Sequence, residues 1–205
     1  METTPGKRPT RPRRELPAGP APDAARLREA ALAHMDRFGT TEVGLRRVLQ
    51  RRVDRWARRA EAEGQLAENV APAAARAKAE AAIVAKALAQ SGVVDDAAFA
   101  AARTKRLAQA GRSRRAIAAH LAAKGVARET AATMVGDTDE LAAALGHLRR
   151  RRAGPFAVEQ PPSPEARLKA MGALARGGFS RDLAERALDM EPDAATDHLL
   201  ASRRG

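Results

Sequence analysis

Few side chains in this sequence stand in arrangements that could do chemistry. The four histidines, His34, His120, His147 and His198, are dispersed, with no H-E-x-x-H motif and no i,i+4 pair to grip a metal. The chain has no cysteine, which removes thiolate ligands, thiol nucleophiles and disulfides together. Asp95 and Asp96 are the one adjacent acidic pair in a recognisable setting, and two carboxylates can bind magnesium. They stand at a helix start, however, where Asp95 serves as cap and Asp96 complements the helix dipole, and that is the simpler assignment. The glycines form no phosphate-binding loop, and Gly177-Gly178 closes a helix rather than opening one. No serine sits in a G-x-S-x-G turn. The expectation is a protein that is not an enzyme and carries no metal or cofactor.

The cations, by contrast, are organised. Lys and Arg number 37 against 25 Asp and Glu, a net charge of +12. Between Asp96 and Glu129 there is no acid, yet Arg103, Lys105, Arg106, Arg112, Arg114, Arg115, Lys124 and Arg128 fall there. Arg149, Arg150, Arg151 and Arg152 form a second block, and a third runs from Arg46 to Arg59, interrupted only by Asp54. Residues 159–205 are close to neutral. Such blocks suit a polyanion, so phosphate contacts that are largely independent of sequence and sensitive to salt are expected. With only four Phe and one Trp, base stacking of the single-strand-binding kind is not.

The elements that must carry these charges read as helices. Hydrophobic residues make up 44% of the chain, but about half of them are alanine, and strand-forming residues are scarce. Residues 1–22, with Pro5, Pro9, Pro12, Pro17, Pro20 and Pro22, read as a disordered basic tail. From Asp23 onward polar caps and closing glycines recur, predicting about nine helices; Pro72 is placed in the first turn of the third. The stretch after Met190 shows no convincing period. No apolar run approaches a membrane span and the amino terminus lacks an apolar signal core, so a cytoplasmic location is expected.

The helices repeat. An offset of 72 residues brings Leu45 and Leu49 onto Ile117 and Leu121, and one of 53 brings Leu121 and Gly125 onto Leu174 and Gly178. The predicted fold class is all-α, an elongated array of three tandem three-helix repeats whose neighbours stack into a continuous core. Repeat one spans 23–92 with an insertion near 53–72. Repeat two spans 93–136, repeat three 137–190 with a linker at 153–163, and 191–205 is a tail.

Ser91-Gly92-Val93-Val94-Asp95-Asp96-Ala97-Ala98-Phe99-Ala100, followed by Arg106, Gly111, Arg114, Arg115, Ile117, Leu121 and Lys124-Gly125-Val126, resembles the central signature of the RecX family. These regulatory proteins modulate the RecA recombinase in DNA repair and homologous recombination. The strong similarity covers about 88–136, and the helix pattern extends it to roughly 24–190. The resemblance implies a non-enzymatic, cofactor-free regulator that lies in the groove of the RecA–DNA filament. There it would limit filament extension, strand exchange and ATP hydrolysis, as a monomer. It further implies structural roles for Asp95, Asp96, Phe99, Ile117, Leu121 and Gly125, with Phe99 as a core anchor. Arg103, Arg106, Arg112, Arg114, Arg115, Lys124, Arg149 and Arg150 are the candidate contacts to filament and DNA. The sequence departs from the family pattern at Ala116, in the insertion after Arg52, and in the 153–163 linker. The rival readings are a helix-turn-helix transcriptional regulator, with the fourth and fifth helices as the motif, and an assembly protein whose charge serves only solubility.

Overall fold

Seven of the ten α-helices among the described residues begin on a side-chain cap. Asp23, Thr41, Asp95, Ser113, Asp139, Ser163 and Ser180 each accept an N–H from the first turn of the helix that follows. The computed structural model describes residues 17–202, and no strand occurs among them. Unit one holds α1 (Ala24–Met35), α2 (Glu42–Ala62) and α3 (Ala67–Gln90). Unit two holds α4 (Asp96–Gln109), α5 (Arg114–Ala123) and α6 (Arg128–Gly136). Unit three holds α7 (Glu140–Arg151), α8 (Pro164–Arg176) and α9 (Arg181–Leu188), followed by α10 (Pro192–Ala201).

Each unit closes its own core. Leu45 and Leu49 of α2, Ile117 and Leu121 of α5, and Ala170 and Leu174 of α8 fill equivalent buried positions, in the register of the 72- and 53-residue offsets. Glycines with φ between +86° and +88° follow α2, α5 and α8 at Gly64, Gly125 and Gly178, the left-handed closure that lets the chain turn into the third helix. The three apolar clusters are separate rather than the single continuous core expected from stacking. With so many alanines, each interior is small enough to be filled within its own unit.

The units are joined by polar seams that repeat. Thr41 accepts from the Gly44 N–H at 2.9 Å and donates through the same hydroxyl to the Lys124 carbonyl at 2.6 Å. One seam further on, Ser113 accepts from the Ala116 N–H at 3.2 Å and donates to the Gly177 carbonyl at 2.7 Å. An acid at the start of the next unit's first helix completes each latch. Asp96 receives the Glu42 N–H at 2.8 Å, and Glu140 receives the Arg114 N–H at 3.2 Å. One helix thus caps its neighbour across the seam, satisfying N–H groups that helix starts leave orphaned. In unit three the cap and first residue of the second helix are Ser163 and Pro164, and proline has no N–H to donate as Glu42 and Arg114 do.

The latch predicts a measurable asymmetry. Ser113→Ala removes a cap and strands the Gly177 carbonyl, and should cost about 2–3 kcal/mol in urea unfolding. Ser163→Ala removes a cap alone and should cost about 1 kcal/mol.

Four sequence expectations change. Residues 17–22 are not a free tail: the Ala18 N–H binds the Glu63 carboxylate at 2.8 Å, and the Trp56 indole donates to the Gly19 carbonyl at 3.0 Å. The rest of the 1–22 segment, residues 1–16, lies outside the described residues. The insertion near 53–72 is about three extra turns on α2 and an earlier start for α3, packed as a long hairpin, so Pro72 sits inside α3 rather than in its first turn. Pro72 cannot donate to the Glu68 carbonyl, and Pro72→Ala should raise stability by about 1–3 kcal/mol, read from thermal melts.

The 153–163 linker is pinned onto unit three, with Pro155 buried and the Gln160 amide donating to the Gly154 carbonyl at 2.9 Å. Finally, 191–205 is not simply a tail, because α10 brings the described helices to ten. Its buried stripe is only Ala195 and Leu199, too thin to show as a period, and His198 Nε2 stands 2.8 Å from the carboxylate of Asp139, the cap of α7.

Candidate nucleic-acid interface

Helix α5 is the bridge of the array, its first residues latched to unit three and its last to unit one. Ten residues make it about 15 Å long, which sets the distance between the two seams. The cations beside it form a strip. Arg47, Arg51, Arg103 and Lys124 line one cleft at the first seam. His120 of α5 has Arg103, Lys124 and Arg112 as charged neighbours, and Arg112 in turn is an electrostatic neighbour of Arg150 at the end of α7, as are Arg149 and Arg151. The strip therefore crosses from unit one to unit three.

Individual candidates divide by what holds them. Arg112, Arg149 and Arg151 are exposed and form no ion pair among the described residues. Arg150 reaches the Gly111 carbonyl at 3.4 Å; partial burial, then Arg151, Arg112 and Arg149, holds its pKa below the ordinary guanidinium range. A like-charged cluster of this kind is relieved by an anion. Arg103 donates Nε–H to His120 Nε2 at 2.9 Å. Burial first, then Arg103, Lys124 and Arg112, lowers the His120 pKa, which keeps that nitrogen an acceptor. Arg106 and Lys124 are exposed, and so is Arg115, whose stem borders Gly178 across the second seam.

Arg114 departs from the rest. Its guanidinium is engaged by the Thr138 carbonyl and hydroxyl, with Glu140 at 4.0 Å, so it ties unit two to unit three rather than facing a partner.

Among the residues expected to be structural, Ile117 and Leu121 are fully buried and Asp95 caps α4. Asp96 does more than complement a dipole, since it caps α2 across the first seam. Phe99 is only half-buried, with its ring facing Gly39 of unit one, so it is a seam residue and not a central anchor. The latch hydroxyls, Thr41 and Ser113, were visible in the sequence only as caps; their separation by the same 72 residues as the buried aliphatics was the available signal for a second role. Arg47, which donates to the Ala123 carbonyl at 2.9 Å, had a similar signal in its place on the third basic block.

His147 is buried under this strip, edge-on to Phe179 at 5.6 Å. Burial, then Arg151 and Arg150, lowers its pKa, so protonation favours the unfolded chain. Stability should hold above the unfolded histidine value near 6.5 and fall as pH drops through and below it. Thermal melts at about pH 7.5 and about pH 5 should show the loss, and His147→Gln should flatten it.

The helical units thus present several exposed guanidinium groups that form no ion pair among the described residues. Among the described residues no three His, Asp or Glu side chains gather in a metal-sized group, and no helix is long and apolar enough to cross a membrane. The family described as "RecX, second three-helix domain" matches residues 95–134, which is unit two almost in full. A regulatory protein RecX of Myxococcus xanthus is 37% identical over 188 residues, covering 90% of this chain and 91% of that one. A regulatory protein RecX of Agrobacterium fabrum is 35% identical over 106 residues, 52% of this chain and 57% of its own. This chain belongs to the RecX family of regulatory proteins. No solved structure matches it.

Proposed function

We propose that this protein is a non-enzymatic regulator that binds the RecA recombinase filament on DNA and modulates it, chiefly by inhibition. ATP hydrolysis, filament extension and strand exchange are the activities it restrains, and it works as a monomer in the cytoplasm. The observation that carries this reading is the strip of cations crossing both seams, from Arg51 through Lys124 and Arg112 to Arg149 and Arg151. A polyanion with a regular repeat is met along its length by such a strip, and the latches hold the strip's geometry. Phosphate contacts position a protein without reading bases, which suits a filament that forms on any sequence.

The helix-turn-helix reading loses support at its key element. A recognition helix offers its N-terminal residues to base edges. Here the N-terminus of α5 is covered by unit three, through Ser113 on Gly177 and Arg114 on Thr138.

The test is single-strand-DNA-dependent ATP hydrolysis by the cognate RecA, with this protein titrated in at two salt concentrations. Inhibition below one protein per recombinase, weakened by salt, is expected. No effect at severalfold excess of the folded protein contradicts the reading.

A further inference from the structure

The first seam carries a feature that phosphate binding does not use. Phe38, in the α1–α2 turn, is 59% exposed, and Val93, in the α3–α4 turn, is 52% exposed. Phe38 stands as a ridge between two clefts that share Phe99 and Arg103. The first, about 480 Å³, is lined by Met35, Val93, Val94, Ala98, Phe99 and Ala102, with Arg103 and Arg106 at its edge. The second, about 380 Å³, is faced by Arg47, Arg51, Arg103 and Lys124, and no carboxylate lines it.

We propose that this ridge and its two clefts dock an acidic peptide segment of a protein partner, with an apolar anchor in the Met35–Phe99 cleft and carboxylates on Arg47, Arg51 and Arg103. Single exposed apolar residues are ordinary, but here they line a cleft, and clefts with a few convergent polar groups are binding sites. Met35 and Val93 offer flexible and branched surface that buries a side chain and gives a phosphate nothing. The charges are complementary and prepared. Arg47 is held by the Ala123 carbonyl and Arg103 by His120, so each guanidinium is oriented before a carboxylate arrives. Asp95, the one acid lining the apolar cleft, is already engaged as the cap of α4. This assignment goes beyond the regulatory reading above, because it adds an apolar anchor cleft that phosphate contacts do not use beside cations the strip shares, and it does not depend on which protein docks.

The experiment uses the full chain and fluorescence anisotropy with three probes. One is a glutamate-rich peptide of about twelve residues carrying Leu and Phe four positions apart. The second replaces both anchors with serine, and the third is a thymidine oligonucleotide. The variants are Phe38→Ser and Arg51→Glu, both at exposed positions, with helicity checked by circular dichroism. The anchored peptide should bind at least about tenfold more tightly than its serine counterpart, and each variant should weaken it by about tenfold or more. Phe38→Ser should leave oligonucleotide binding within about threefold.

Equal binding of the two peptides, or indifference of the anchored peptide to Phe38→Ser, overturns the proposal. So does an oligonucleotide that loses as much as the peptide in Phe38→Ser, which would make Phe38 a platform for a base. Anchored binding in a protein that leaves RecA hydrolysis unchanged would uphold the docking site while removing the recombinase as its partner.

Discussion

Gly125→Ala will destabilise the protein far more than the same change at Gly64. Both residues follow a second helix in the left-handed region, at φ +86° and +88° respectively, where a side chain costs about 1–2 kcal/mol in backbone strain alone. At Gly64 an added methyl meets nothing, so that is the whole expected effect. At Gly125 it overlaps the Val43 side chain across the first seam, and forcing atoms into a packed contact costs about 1–3 kcal/mol more. The sum is about 2–5 kcal/mol. Gly178→Ala falls between, because the methyl would press the Ser113 hydroxyl of the latch from 2.8 Å. Urea unfolding of the three variants measures the order directly. Equal losses at Gly64 and Gly125 would mean that the seam gives way at no cost and that the units are not held in fixed register.

That seam also marks how far the sequence could be read. The offsets that align Leu45 with Ile117 and Leu121 with Leu174 follow from buried aliphatic residues, whose spacing is large and regular, and the fold obeys them. Caps and closing glycines were legible for the same reason, since each acts within a few residues of its own position. Three things were not. The helix α10 buries one alanine and one leucine, too little apolar contrast to stand out. The separateness of the three cores depends on how much volume alanine fills, which pattern alone does not express.

The latches depend on partners 83 and 64 residues away, and a hydroxyl that caps its own helix gives no sign that it also donates outward. The basic surface was legible in outline and not in detail. Arginines and lysines looked alike as members of charge blocks, yet Arg114 is engaged by Thr138 while Arg112 and Arg149 remain exposed. Local sequence shows where charge accumulates; tertiary pairing decides which charges remain available.

Removing charge from the strip is the second large effect, and it acts on binding rather than folding. In the triple variant Arg112→Ala, Arg149→Ala and Arg151→Ala, each side chain removed is exposed and free of ion pairs among the described residues, so stability should change little. Part of the mutual repulsion around Arg150 is relieved, which pushes stability slightly upward. Affinity for RecA-coated single-stranded DNA should fall by at least about tenfold at low salt, because each phosphate contact releases a counterion from the strand. The salt dependence should weaken in step. On a single strand the slope of log K against log salt falls by about 0.7 for each phosphate no longer neutralised, or about 2 for three. Arg114→Ala, by contrast, should loosen the second seam and leave that slope nearly unchanged, since its guanidinium is already paired.

The most direct measurement is the affinity of wild type and triple variant for RecA filaments on a labelled single strand, taken across about 50 to 200 mM salt. Both proteins should be equally helical, with the variant binding more weakly and on a slope shallower by about 2. Identical slopes and affinities would show that the strip across α5 and α7 does not face the filament, and the basic surface would lose its place in the mechanism.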